Sequence, residues 1–256
     1  MNQGICLQSM VAVRERPSER SEMTNQLLFG DLFEILEKKD EWCLIKTIDD
    51  NYEGWANSLQ LDLISESDFS AYKNSKRVYS LSTSNTAKRK ESNNSYQYTF
   101  GSRLVLFDNN SFEIDGIKYL NEGKTTLDLS DLSLIDIAKF YLGSPYLWGG
   151  RSIFGIDCSG FVQICFKITG TLLPRDASQQ VNYGETVNFI EETQVGDLAF
   201  FENEEGAIVH VGILLNNKSI IHASGYVKID DIDHNGIFNK KLNRYTHKLR
   251  IIKRIK

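Results

Sequence analysis

Residues 146–160 read Tyr-Leu-Trp-Gly-Gly-Arg-Ser-Ile-Phe-Gly-Ile-Asp-Cys-Ser-Gly. Gly149, Gly150 and Gly155 break the backbone pattern ahead of the cysteine. Immediately after Cys158 the apolar pattern turns helical, with Phe161, Val162, Cys165 and Phe166 at i, i+1, i+4 and i+5. Asp157 is a favoured N-cap residue, so Cys158 is expected as the first or second residue of a helix. A thiol there meets free backbone N–H groups and the positive end of the helix dipole, both of which favour the nucleophilic thiolate.

Such a cysteine needs a base, and the chain has four histidines. His210 lies in Ala-Ile-Val-His-Val-Gly-Ile-Leu-Leu, an apolar run that reads as a strand. His222 lies in Ile-Ile-His-Ala-Ser-Gly, after Asn216-Asn217-Lys218-Ser219, which has turn composition. In an antiparallel hairpin of that length the two imidazoles can share one face. A thiolate–imidazolium pair of Cys158 and His210, oriented by His222, is the expected chemistry. His234 and His247 stand in polar, irregular contexts and are expected to be solvated.

Asp-Cys-Ser-Gly-Phe, His-Val-Gly and Ile-His-Ala-Ser, together with Leu-Pro-Arg-Asp-Ala-Ser-Gln-Gln (173–180) and Val-Gly-Asp-Leu-Ala-Phe-Phe (195–201), occur in one order. That set resembles the NlpC family of bacterial cell-wall cysteine peptidases, over about half of the chain from Leu132 onward. The resemblance implies a papain-like α+β domain over 130–256, with Cys158, His210 and His222 as the catalytic residues. It further implies that Asp157 and Tyr146 hold the free amino group of a murein peptide. By the same resemblance Glu53 helps to close the site and Ser159 lies near the scissile peptide. Arg151 and the Arg175-Asp176 pair suit substrate contacts or ion pairs within the domain equally well.

The sequence has 256 residues, 41% hydrophobic and 25% charged, with a net charge of −5 and a pI of about 5.5. This acidic balance argues against nucleic-acid or anionic-membrane partners. No apolar run approaches the ~20 residues of a membrane span, and the first ten residues lack a signal-peptide pattern, so a cytoplasmic location is expected. Cys6, Cys43, Cys158 and Cys165 show no C-x-x-C spacing, and Cys165 reads as a core residue. No G-x-G-x-x-G or Walker pattern follows a strand, and a cysteine–histidine mechanism requires no metal or organic cofactor. Tyr146-Leu147-Trp148 reads as aromatic packing behind the cysteine helix.

Ahead of that domain, strands are expected at 11–14, 32–36, 42–46 and from Tyr52 to Ala56. Their spacing suggests a small barrel over 1–65, similar to the bacterial SH3-like domains that accompany cell-wall hydrolases. Residues 75–128 read as a degenerate second copy, with strands at 77–79, 96–100, 103–107 and 116–120 and a long exposed loop from Ser82 to Ser95. Leu134, Ile135, Ala138, Tyr141 and Leu142 then mark the first helix of the following domain.

The resemblance therefore implies hydrolysis of the γ-D-glutamyl–diamino acid bond in murein peptides with a free N-terminal L-Ala, in cell-wall peptide recycling. Two alternatives stay open: a papain-like acyltransferase, and a murein-peptide-binding protein with weak catalysis.

Overall fold

The computed structural model describes residues 2–89, 95–128 and 132–255. The chain forms two compact units, one of residues 1–131 with 148–153 and the other of residues 132–147 with 154–256.

The first unit begins with β1 (Gln3–Ile5), β2 (Met10–Arg14), β3 (Met23–Leu28), β4 (Leu32–Lys39), β5 (Trp42–Thr47), β6 (Glu53–Asn57) and β7 (Asp62–Leu63). Among the described residues these make a seven-stranded sheet in the order β3-β2-β6-β5-β4-β1-β7. Alternation puts Val11, Val13, Cys43 and Ile45 on one face, where they pack with Leu27, Phe33 and Ala56. The four strands read from the sequence are present. β3 was missed because Met-Thr-Asn-Gln-Leu-Leu does not alternate; its last four residues are all buried.

The following segment has no separate core. α1 (Glu66–Asn74), β8 (Ser84–Arg89), β9 (Ser95–Thr99), β10 (Ser111–Ile114) and β11 (Ile117–Leu120) pack Phe69, Tyr72, Tyr98, Phe112 and Tyr119 against Ile5, Phe29 and Ile64 of the first sheet's strands and turns. The C-terminal carbonyls of α1 are covered by Arg103, whose Nη2 donates to Tyr72 O at 2.6 Å. Three expectations need correction here. β8 occupies 84–89, inside the supposed exposed loop, because it pairs with β9 over Ser84–Lys88. Residues 77–79 form no strand, since Tyr79 makes an isolated bridge to Arg103. Residues 103–107 form no strand either, and Leu106 has a φ of 48°. Residues 90–94 of that loop, and 129–131 of the connection, lie outside the described residues.

Residues 148–153, with β12 (Arg151–Ser152), also belong to the first unit. Gly149 is needed there: its φ is +75°, and a Cβ would stand 2.4 Å from Met23 O. Trp148 is 58% exposed and donates Nε1–H to Glu22. Leu147 is 42% exposed. The Tyr-Leu-Trp run therefore does not pack as a block behind the cysteine helix, contrary to the sequence reading.

The second unit has α2 (Leu134–Phe140), β13 (Gly155–Ile156), α3 (Cys158–Ile168) and α4 (Ala177–Gln180). These are followed by β14 (Glu185–Val187), β15 (Leu198–Glu202), β16 (Ile208–Asn216), β17 (Ser219–Ser224), β18 (Tyr226–Asp233), β19 (Gly236–Asn239) and β20 (Arg244–Arg254). The sheet order is β14-β20-β15-β16-β17-β18-β19, and β19 also pairs with β20, so six antiparallel strands close into a barrel with β14 at its side. α3 packs on β16 and β17. All eleven residues of α3 are buried, Gln163 and Lys167 included, so the helix is enclosed rather than amphipathic. Of the stripe read for α2, Ala138 and Tyr141 are buried while Leu142 is 45% exposed. Among the described residues, no helix is long and apolar enough to cross a membrane.

Candidate active site

Asp157 makes the local structure that presents the cysteine. Its backbone is extended, its Oδ1 accepts the Gly160 N–H at 2.7 Å, and Cys158 becomes the first residue of α3. The thiol is buried, and the backbone N–H groups of Ser159 and of Val211, the residue after His210 on β16, act to lower its pKa. α4 also packs on β16, and Gln180 Nε2 donates to Ser159 O at 3.0 Å and Pro174 O at 2.8 Å. The cysteine end of α3 is thereby fixed from outside the helix.

Burial dominates the electrostatics of this thiol. It pushes the Cys158 pKa up to about 12, aided by the Asp157 carboxylate and only partly offset by the Val211 N–H, Arg175 and the Ser159 N–H. Burial likewise holds His210 well below the usual histidine range, with His247, His222 and Lys228 adding to the shift. Burial thus disfavours the charged form of each partner of the expected thiolate–imidazolium pair. The pH dependence follows from these directions. Protonation of His210 removes the base, so kcat/KM should fall only as pH drops below the ordinary histidine value of about 6.5. It should stay flat from about pH 7 to about pH 9, since the thiol titrates higher still. An alkaline limb centred on the free-thiol value of about 8.5 would contradict this account.

His210 and His222 come together as the hairpin reading anticipates, with His210 Nε2 2.8 Å from His222 Nδ1. Gly212 makes room for the pair, because a Cβ at 212 would stand 2.8 Å from His222 Cβ. His222 is fully buried, and burial lowers its pKa, with Asp230 opposing. The placement of His247 corrects the sequence reading. Its ring stacks on His210 at a centroid distance of 4.1 Å and 26°. β20 delivers it there through pairing with β15 and β19, a non-local arrangement that no short motif reveals.

The structure gives the other expected residues specific partners. Asp157 is buried and pairs with Arg175: Nη1 donates to Oδ1 at 3.0 Å and Nη2 to Oδ2 at 2.5 Å. The cation that a buried carboxylate requires is thus within the chain itself, not only in a substrate. The Ser159 hydroxyl accepts from Arg175 Nη1 at 2.9 Å. Tyr146 is half-buried beside Cys158 and Asp157, and burial, followed by their charges, raises its pKa. Arg151 belongs to an ion pair of the first unit, with Nη1 3.0 Å from Asp31 Oδ2. Glu53, on β6 of that unit, is exposed and lies 3.9 Å from Lys46 Nζ.

Asp230, 3.3 Å from His222 Nε2, and His247, stacked on His210, were missed by sequence reasoning. One local signal for Asp230 exists. Gly225 has a φ of +74° between Ser224 and Tyr226, and the hairpin it makes puts Lys228 opposite His222. The next residue on that face is Asp230.

Residues 143–247 match the NlpC/P60 family, and residues 13–61 match the bacterial dipeptidyl-peptidase Sh3 domain. A gamma-D-glutamyl-L-lysine dipeptidyl-peptidase of Bacillus subtilis is 31% identical over 222 residues, spanning 77% of this chain and 71% of that protein. The protein of the same name from Bacillus cereus is 29% identical over 231 residues, spanning 79% and 68%. The crystal structure of a NlpC/P60 family protein from Bacillus cereus has the same fold, with a TM-score of 0.80 over 98% of this chain and 99% of that one, at 22% identity. This chain is accordingly a cysteine peptidase with a papain-like domain behind SH3-like β modules. It belongs to the NlpC/P60 family of peptidoglycan hydrolases.

Proposed function

We propose that the protein hydrolyses the γ-D-glutamyl–diamino acid bond of murein peptides that carry a free N-terminal L-Ala, releasing L-Ala-γ-D-Glu for recycling. The observation that carries this reading is a buried thiol at the start of α3, a helix packed on the His210 strand β16, with His210 backed by His222 at 2.8 Å. The names of the two relatives support the bond and make L-lysine the first diamino acid to try.

Cys158 Sγ attacks the γ-carbonyl as His210 takes the thiol proton, forming a tetrahedral intermediate. His210 returns that proton to the leaving amine as the C–N bond breaks, and water, deprotonated by His210, then resolves the thioester. The Cys158 backbone N–H at the helix start supplies an oxyanion donor, a contact whose loss typically costs ~2.7–4 kcal/mol. Asp157 and Tyr146 receive the substrate ammonium.

Because Arg175 already neutralises Asp157, the ammonium contact should be worth about 1.5–3 kcal/mol, the range of a hydrogen bond to a charged group. Free L-Ala-γ-D-Glu-L-Lys should therefore be cleaved about 10- to 100-fold faster, in kcat/KM, than its N-acetylated form. Equal rates would remove the ammonium from the reading and leave Asp157 as cap and ion-pair partner.

A further inference from the structure

The hydrogen-bond chain behind His210 does not stop at His222. His222 Nε2 lies 3.3 Å from Asp230 Oδ2 on β18. Asn239 Nδ2, at the end of β19, lies 3.1 Å from Oδ2 and 3.4 Å from Oδ1 of the same carboxylate. Lys228 Nζ is 3.3 Å from Oδ2. Burial pulls the Asp230 carboxyl upward, but the hydrogen bonds from His222 and Asn239 and the Lys228 charge outweigh it, and its pKa is about 2. The group is a carboxylate at every pH where a peptidase of this kind would work.

A carboxylate only accepts hydrogen bonds, while a neutral imidazole has one donor and one acceptor nitrogen. His222 must then carry its proton on Nε2, leaving Nδ1 as a lone pair. The 2.8 Å contact between His210 Nε2 and His222 Nδ1 in turn requires the proton on His210 Nε2. That leaves His210 Nδ1 as the ring nitrogen free to accept a proton. The alternative tautomer of His222 would set two lone pairs against each other at Asp230, and it would put the His210 proton on the nitrogen that must receive one.

We propose that Asp230, held by Asn239 and Lys228, is a positioning residue that fixes the proton-accepting tautomer of His210 through His222. The inference rests on the reading of His210 as general base given above. The carboxylate touches no substrate atom; it acts through two rings. His210 is faced by Phe201 on β15, by His222 on β17 and by the stacked ring of His247 on β20. His247 has a pKa lowered to about 4, chiefly by burial, so it is neutral beside the base and adds no competing charge near neutrality. When His210 becomes a cation during thiol deprotonation, the net charge of Asp230 and the two rings between them goes from −1 to zero, and no proton need leave His222.

The test uses the full chain labelled with 15N. In the wild type near pH 7.5, the ring nitrogens of His210 and His222 should both report the Nε2–H tautomer. In Asp230→Asn, Asn239 can donate to the new amide oxygen, which turns the amide NH2 toward His222 Nε2 and forces the Nδ1–H tautomer of His222. In a Ser-His-Asp triad the equivalent Asp→Asn change costs about 10⁴ in kcat through the wrong tautomer. With one more ring interposed, kcat should fall at least about 10-fold at nearly unchanged KM. Alkylation of Cys158 by iodoacetamide should slow in parallel, a readout that needs no substrate. Asn239→Leu, which keeps the carboxylate but frees it, should lower kcat by less and leave the His222 tautomer in place.

Wild-type rings in the Nδ1–H form would overturn the proposal even if Asp230→Asn fails to fold, as would a folded Asp230→Asn with wild-type kcat and alkylation rate. Failure of the proposed reaction is distinguishable. A wild type that leaves the γ-D-glutamyl bond intact, yet shows both Nε2–H tautomers and Asp230-dependent alkylation, would sink the substrate assignment and leave this one standing.

Discussion

Cys158→Ala is expected to leave a folded protein whose turnover has dropped by about 10⁴-fold or more, because the group that forms the covalent intermediate is gone. Little structure should be lost with it. The cap of α3 is made by Asp157 and the helix is enclosed by the sheet, neither of which involves the sulfur. Cys165, about two turns further along the same helix, is the internal control. It is 0% exposed, and burial raises its thiol pKa well above the ordinary value. Cys165→Ala should cost about 1–2 kcal/mol of stability through the cavity it opens and change kcat little. Denaturant unfolding and steady-state rates on the two variants separate the roles. An active Cys158→Ala beside an inactive, folded Cys165→Ala would reverse the assignment.

Arg175→Ala should produce the largest loss of stability from a single polar side chain in the second unit, about 3–5 kcal/mol. The guanidinium is 1% exposed and the Asp157 carboxylate 7%, so truncation leaves a buried charge without its bidentate partner. The same change removes the Arg175 donor from the Ser159 hydroxyl, which keeps its 3.4 Å contact with Asp157 Oδ1, and loosens the start of α3, so activity should fall as well. Arg175→Lys should recover only part of the loss, since an ammonium cannot reproduce the two parallel N–H···O bonds. The check is denaturant unfolding of the two variants against wild type. A change of less than about 1 kcal/mol for Arg175→Ala, the range of an exposed ion pair, would show that solvent reaches the pair.

Local sequence was a good guide where geometry is local. Asp157 before a helical apolar run fixed the position of Cys158, and an apolar run either side of a polar turn placed His210 and His222 on adjacent strands. The same style of reading failed where the answer depends on what is stacked above. A helix dipole argues for a thiolate at residue 158, yet the burial of the thiol pushes its pKa the other way. His247 looked solvated because its neighbours Tyr245, Thr246 and Lys248 are polar and exposed. Only the closing of β20 against β15 and β19 turns its ring onto His210. Asp230 sits in Lys-Ile-Asp-Asp-Ile-Asp, where any of three carboxylates could face inward until the register with β17 is known. In the first unit the exposed loop read at 82–95 was a matter of composition. Polar residues 84–89 form an ordered strand because their backbone pairs with β9, a contribution that side-chain hydrophobicity does not report.

The central claim is that Cys158 carries the dipeptidyl acyl group of a γ-D-glutamyl substrate. The direct measurement is acid quenching of the enzyme during turnover of L-Ala-γ-D-Glu-L-Lys, followed by mass spectrometry of products and of the cysteine-containing peptides. The account predicts free lysine, L-Ala-γ-D-Glu, and a thioester of that dipeptide on Cys158. Cleavage between L-Ala and D-Glu, or an acyl group carried on Cys165, Cys6 or Cys43, would contradict it.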